Sequence, residues 1–249
     1  KRNDYMIGIF DSGIGGVTVF REILKKLPNY SYIYYSDSKN NPYGDKTYEE
    51  LIEITENIVD YLVSYGCKII VIACNTASAI CKDYLRDKFD VPIVAIEPAY
   101  KMVNDTNPQG KTLILATKGT LESEKFQELY HKYDNHNTSI YECVGLADLI
   151  EQNKTVEIDE YLKQHLTPFM GVENIVLGCT HYPLIIDKIK QVLGDVKFYD
   201  GSLGVVHQLE KVISDISLQP SEFNIKFIDS SNKSIKKERF EEILERRVN

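Results

Sequence analysis

The chain contains itself twice. Residues 69–91, IIVIACNTASAICKDYLRDKFDV, lie without a gap over residues 174–196, NIVLGCTHYPLIIDKIKQVLGDV, at the 105-residue spacing that separates Cys74 from Cys179. The same spacing sets Asp90-Val91 on Asp195-Val196 and lays IGIFDSG, from Ile7, over TLILATK, with Asp11 opposite Ala116. Any two buried parallel strands read as near-continuous Val, Ile and Leu runs, so a single match of this kind is weak. A spacing that recurs in separate places is the mark of an internal duplication. It restricts the chain to folds in which one strand-and-helix unit occurs twice, with a cysteine at the same point of each copy.

Apolar, β-branched runs at 7–10, 31–35, 68–73, 91–96, 112–116, 140–143, 174–177 and 196–199 predict strands. Between most of them lie amphipathic stretches. Leu51, Ile54, Ile58 and Leu62 recur at steps of three and four, as do Phe126, Leu129, Tyr130 and Tyr133, so each set lines one helical face. This alternation predicts parallel sheets covered on both sides. With the duplication it predicts an α/β chain of two pseudo-symmetric, doubly wound (flavodoxin-like) domains, with the active site in the cleft between them. The break falls near Ile96 to Tyr100, where a proline follows a strand, giving a first domain of residues 1–97 plus 204–249 and a second of 98–203. The segments VVHQLEKVISDI and KKERFEEILERR then return to the first sheet. Ligands of open α/β sheets bind outside the carboxyl ends of the strands, and Asp11, Cys74 and Cys179 all stand at such ends.

Composition narrows the function. A formal net charge of −8 repels a phosphate backbone, and the basic stretches Lys233 to Arg239 and Arg246-Arg247 are broken by Glu238, Glu241 and Glu245, which excludes nucleic acid as the main partner. No window approaches the ~18 apolar residues of a membrane helix, and KRNDYMIGIFDSG has no leader-peptide pattern, so a cytoplasmic protein with no membrane partner is expected. The five cysteines are scattered with no CxxC pair, which indicates neither a disulfide framework nor a zinc site and suits a reducing compartment.

A thiol becomes a useful base when a helix N-terminus or a nearby charge lowers its pKa from about 8.5. Cys74 and Cys179 each open a predicted helix and are followed by polar groups, Asn75-Thr76 and Thr180-His181. Two facing thiols suit a two-base proton transfer. Cys67, Cys81 and Cys143 read as small buried hydrophobes. DSGIGG, Asp11 to Gly16, is a glycine-rich turn after a strand, without the GK[ST] ending of a phosphate loop or the GxGxxG spacing of a dinucleotide fold. Asp11 fits as a base-assisting carboxylate and Ser12 as a ligand-binding hydroxyl, the alternative being that both cap the next helix. His181 could hold or polarise a group beside Cys179, though HYP also fits a plain helix start. NPYGDKT, Asn41 to Thr47, reads as a turn. No metal-ligand cluster or nucleotide fingerprint is visible, so no cofactor is expected.

Together these stretches resemble the glutamate racemases of the aspartate/glutamate racemase superfamily. IGIFDSGIGG, YYSDSKNNPYGDKT, VIACNTAS and VLGCTHYPL match in order and spacing, over nearly the whole chain. Aspartate racemases of the superfamily tend to carry Glu after GCT, where this chain has His181. The resemblance implies a cofactor-independent, homodimeric racemase that interconverts L- and D-glutamate and supplies D-glutamate for peptidoglycan. It implies acid/base roles for Cys74 and Cys179, with Asp11 assisting Cys74, His181 assisting Cys179, and Cys74 facing the D-enantiomer. It places substrate contacts on Asp11, Ser12, Tyr43, Gly44, Asn75, Thr76, Thr180 and His181. The family's proline-containing stretch ending in Glu reads ECVGLADLIE here: Glu151, the candidate support of the second thiol, is in place, but both prolines are absent. The rival readings are a superfamily enzyme acting on aspartate or another carboxylate, and a two-lobed binding protein. Paired thiols disfavour the second.

Overall fold

The computed structural model describes residues 7–245; Lys1 to Met6, where the missing leader pattern was sought, and the basic pair Arg246-Arg247 lie outside the described residues. The strands are β1 (Ile7–Asp11), β2 (Ser31–Ser36), β3 (Ile69–Ile72), β4 (Ile93–Ala95), β5 (Thr112–Ala116), β6 (Thr138–Glu142), β7 (Asn174–Gly178), β8 (Lys197–Tyr199) and β9 (Asn224–Asp229). The helices are α1 (Val17–Lys26), α2 (Tyr48–Ser64), α3 (Asn75–Lys88), α4 (Tyr100–Thr106), α5 (Lys118–Glu122), α6 (Glu124–Tyr133), α7 (Leu146–Glu151), α8 (Thr155–Leu166), α9 (Ile186–Leu193), α10 (Ser202–Asp215) and α11 (Ser234–Glu245).

Two parallel sheets result, in the orders β4-β3-β1-β2-β9 and β6-β5-β7-β8. Read from matching edges, β4-β3-β1-β2 and β8-β7-β5-β6 are the same arrangement. The register repeats as well: Ile7 pairs with Ile69, and the duplicate positions Thr112 and Asn174 pair likewise. Each sheet is covered on both faces, as parallel sheets require. Ile7, Ile9, Tyr32, Tyr34 and Val71 pack with α1, α10 and α11 on one face of the first sheet, while Phe10, Ile33, Ile70 and Ile72 pack with α2 and α3 on the other. In the second sheet Leu113, Leu115, Ile175 and Leu177 face α7, α8 and α9, and Ile114 and Val176 face α4 and α6. No helix among the described residues is long and apolar enough to cross a membrane.

Three expectations need correction. The strand expected at 91–96 is confined to Ile93–Ala95, because Pro92 has no N–H for the ladder and contributes only its carbonyl, to Ile70 N at 3.0 Å. The return of the C-terminal segments brings a further strand, β9, which pairs with β2 as the first sheet's edge. Cys179, expected to open a helix, does not: a turn and a 3₁₀ segment, Tyr182–Ile185, precede α9. Pro183 cannot donate to the Cys179 carbonyl, so Tyr182 N takes it at 3.2 Å in 3₁₀ fashion and Leu184 N bonds His181 O at 3.1 Å.

Candidate active site

β1 and β3 are central neighbours, so the loops that follow them emerge side by side. Cys74 is the N-cap of α3, in extended conformation, and its Sγ accepts a hydrogen bond from Ala77 N at 3.5 Å. Asp11, the last residue of β1, turns its carboxylate back onto the loop, where Oδ2 accepts from Gly13 N at 3.1 Å. The residue that caps α1 is Gly16, with no side-chain cap. Asp11 and Ser12 are therefore not spent on a helix start.

The second copy delivers Cys179, Thr180 and His181 from the end of β7, and this cluster interlocks with the first. Thr180 Oγ1 donates to Asp11 Oδ1 at 3.1 Å, and Thr18 Oγ1 donates to the Thr180 carbonyl at 3.1 Å. Cys179 Sγ lies 3.7 Å from His181 Nδ1, and the ring's other nitrogen, Nε2, lies 2.7 Å from Glu151 Oε2, which also accepts from Ile14 N at 3.1 Å. Despite the missing prolines, α7 sets Glu151 directly behind His181. The glycines of DSGIGG explain how the two halves come so close: a Cβ on Gly13 would collide with Glu151, and one on Gly15 would stand 2.6 Å from His181 Nδ1 and 2.7 Å from Thr180 Oγ1. Their purpose is close approach between the halves rather than a phosphate cradle.

The turn at 41–47 closes the cleft from the side. It ends in a capping box, with Thr47 Oγ1 accepting from Glu50 N and the Glu50 carboxylate accepting from Thr47 N, which fixes where α2 begins. Tyr43 is buried and its hydroxyl donates to Asp37 Oδ2 at 2.5 Å. Burial first, and then the Asp37 carboxylate, hold that phenol well above its ordinary pKa. One narrow cleft of about 60 Å³ is walled by Ser12, Tyr43, Gly44, Cys74, Asn75, Thr76, Cys179, Thr180 and His181. Asp11 and Glu151 stand behind that wall.

Asn41, Thr117 and Cys143 also line the cleft, although the sequence marks none of them as a site residue. Thr117 had a signal, since it is the duplicate of Ser12; its Oγ1 lies 2.9 Å from Thr76 Oγ1. Cys143 belongs to the second core, as a small hydrophobe should, yet also reaches the cleft wall; burial pushes its thiol up to about 12. Asn41 Nδ2 and Asn75 Oδ1 are buried without a protein partner, so the cleft wall offers a donor and an acceptor to a polar ligand. Among the described residues no group of three or more His, Cys, Asp or Glu is placed to hold a metal ion.

The two thiols sit in different fields. Burial drives the Cys74 pKa up, the Asp11 carboxylate adds to this, and the Ala77 N–H and Ser12 hydroxyl only partly offset it, so Cys74 rests as a thiol. Burial likewise raises Asp11, against the pull of His181 and the loop amides, which makes it a better proton acceptor beside Cys74. Burial disfavours a charged His181, but the bonds to Cys179 and Glu151 outweigh it and lift the imidazole well above its usual pKa. Burial also works against a charged Glu151, yet His181 and Lys236 hold the carboxyl down at about 2. The arrangement offers a proton donor on one wall and a thiol–imidazole–carboxylate chain on the other.

The sequence model of the Asp/Glu/Hydantoin racemase family matches residues 7–209. A glutamate racemase of Clostridium perfringens (strain SM101 / Type A) is 41% identical over 220 residues, 86% of this chain and 85% of its own. One from Clostridium kluyveri is 42% identical over 238 residues, 93% of this chain and 88% of its own. Among solved structures, a glutamate racemase isoform from Bacillus anthracis superposes with a TM-score of 0.84 at 27% identity, covering 98% of this chain and 96% of that one. The Francisella tularensis glutamate racemase, solved in complex with D-glutamate, gives 0.80 at 27% identity over 99% and 96%.

Proposed function

The chain belongs to the Asp/Glu/Hydantoin racemase family, with glutamate racemases as its close relatives, and from this premise we propose that it interconverts L- and D-glutamate by proton transfer between Cys74 and Cys179. The observation that carries the reading is that two thiols at duplicate positions of the repeat line one small cleft. Racemisation needs a base on one face of the α-carbon and a proton donor on the other. The thiolate of Cys179, beside the His181 imidazolium, takes the α-proton of L-glutamate; the electron pair left on carbon then takes the Cys74 proton from the opposite face, giving D-glutamate. Cys74 is left as the thiolate and Cys179 as the thiol, the pair that runs the reverse reaction from Cys74 to Cys179; a further forward turnover needs Cys179 to release its proton to solvent and Cys74 to regain one from solvent by way of Asp11.

The first amides of α3 and the hydroxyls of Ser12, Thr76 and Thr180 suit the two substrate carboxylates, with Asn75 and His181 toward the ammonium and α-carbon, Asp11 behind them, and Tyr43 and Gly44 closing the side. No cofactor takes part in this reading. Residues 1–97 plus 204–249 and 98–203 form its two domains, the working unit is a cytoplasmic homodimer, and the D-glutamate serves peptidoglycan synthesis.

The test is incorporation of solvent deuterium at the α-carbon of each glutamate enantiomer without added cofactor, with aspartate run in parallel. The parent should exchange and invert glutamate, and Cys74→Ala and Cys179→Ala should each abolish inversion. Near-parental inversion by either variant overturns the two-base reading, and exchange of aspartate alone overturns the substrate.

A further inference from the structure

Glu151 is held from outside the cleft by a helix that the reaction does not use. Lys236 Nζ, on α11, lies 2.7 Å from Glu151 Oε1, while Arg239 Nη1 donates to the Glu151 carbonyl at 2.8 Å and Nη2 to the Ile150 carbonyl at 2.5 Å. These carbonyls lie at the C-terminal end of α7, the end of a helix that attracts cations. Phe240 and Ile243 of α11 are buried in the first sheet's core with Phe20 and Tyr34. The helix is thus anchored in one half and grips the other.

We propose that Lys236 and Arg239 are positioning residues for the Cys179 side of the site, holding Glu151, and through it His181, in the geometry that pairs imidazole with thiol. The inference rests on the reading of Cys179 and His181 as an acid/base pair. Glu151 bridges the halves: Oε1 takes Lys236, and Oε2 takes both His181 and the Ile14 N–H. His181 and Glu151 come from the second sheet's half, Ile14 and Lys236 from the first. The complete chain Lys236–Glu151–His181–Cys179 therefore exists only while the halves are together, so closure itself sets the charge on the Cys179 side.

The ion pair is shielded from water, with side-chain exposures of 18% for Lys236 and 4% for Glu151, so solvent screens it little. The other charged groups around Glu151 are Asp11 at the end of β1 and Asp148 one turn earlier on α7. The outer groove adds Lys39, Lys154, Lys233, Glu238, Arg239 and Glu242. Lys236 is the cation bonded to the carboxylate itself. Removing its charge makes the protons on Glu151 and His181 bind more tightly, because a neighbouring cation favours their deprotonated forms.

The experiment compares Lys236→Met and Lys236→Arg with Lys237→Met, which alters an exposed neighbour on the same helix. Two readouts are taken: the ring-proton titration of His181 by NMR without substrate, and the pH profile of α-proton exchange from L-glutamate. Lys236→Met should move both curves to higher pH and lower exchange about tenfold, the scale on which groups behind a first contact act, with KM little changed. Lys236→Arg and Lys237→Met should behave as the parent, and in a Glu151→Gln background Lys236→Met should add nothing. If Lys236→Met does not fold, Lys236→Gln takes its place. An unmoved His181 titration, or equal impairment by Arg and Met with unmoved curves, overturns the proposal. Should the parent fail to exchange glutamate, the proposed function falls while the NMR titration still decides this inference.

Discussion

Gly15→Ala tests whether the two halves must close to the observed distance. The added Cβ would lie 2.6 Å from His181 Nδ1, 2.7 Å from Thr180 Oγ1 and 2.8 Å from His181 Cε1, whereas ordinary contact begins at 3.4 Å. About 0.8 Å of displacement is needed. The His181 ring cannot supply it freely, because Nδ1 faces Cys179 and Nε2 is bonded to Glu151. The loop cannot retreat alone either, since Ile14 N and Gly13 N are bonded to Glu151 and Asp11. The low-cost response is to open the cleft, which separates the groups proposed to act on the α-carbon.

A misplacement near 1 Å costs about 10²-fold in rate, so kcat/KM should fall by about that factor in both directions, their ratio being fixed by the equilibrium between enantiomers. Because opening relieves the overlap, the thermal midpoint should drop by less than the full overpacking cost of ~1–3 kcal/mol implies. Gly204→Ala is the control, for nothing lies within 4 Å of its added Cβ, and it should be neutral or slightly stabilising in α10. Circular dichroism of the glutamate pool gives the rates and calorimetry the midpoints. Parental activity in Gly15→Ala would refute the claim that closure to this distance is required.

Acid should weaken the fold through Glu151. Its folded pKa, about 2, lies below the unfolded ~4.3, so its contribution, on the order of 3 kcal/mol, is complete above pH ~4–5 and lost as pH falls toward ~2. Glu151→Gln should flatten that acid limb in denaturant titrations. His181 has the opposite sign: its raised folded pKa gives stability that is complete below pH ~6.5 and is lost as pH rises through the folded value, so His181→Asn should flatten the alkaline limb. Asp11→Asn should impair mainly the half-reaction that starts at Cys74, and His181→Asn mainly the one that starts at Cys179, each by ~10²–10⁴-fold. Early deuterium exchange without inversion, measured separately from D- and L-glutamate, checks this, and equal effects of both variants on both enantiomers would remove the assignment.

The repeat made much of the fold legible because backbone pairing follows local pattern. β1 and β5, and β3 and β7, begin at duplicate positions, so one alignment located four central strands and the thiols at two of their ends. β9 escaped because NIKFID lies at a sheet edge, with its residues only partly buried up to Asp229, and its alternation is brief. The repeat implies a helix opening at Cys179, and the chain departs from the repeat there because Pro183 cannot donate to the Cys179 carbonyl. Cys74 therefore has a helix amide at its sulfur, whereas Cys179 has an imidazole.

What no local pattern could show is the joint between the copies. DSGIGG looks like a turn, and its meaning depends on His181 and Glu151, which lie far along the chain. Lys236 looks like one lysine in a solvated charge run until the fold brings it to Glu151. The duplication supplies matched thiols, but a symmetric pair of environments would give two groups of equal basicity competing for one proton. The asymmetry that lets one thiol rest protonated while the other meets a cation comes from residues the repeat does not share: Asp11 stands where the second copy has Ala116, and His181 where the first has Thr76. Both departures meet at the interface, where Thr180 bonds Asp11 and Glu151 bonds His181 and Ile14. Each thiol's distinctive partner thus comes from its own half, Asp11 for Cys74 and His181 with Glu151 for Cys179, and the contact of the halves ties the two sets together, so a change that loosens that contact should slow both half-reactions.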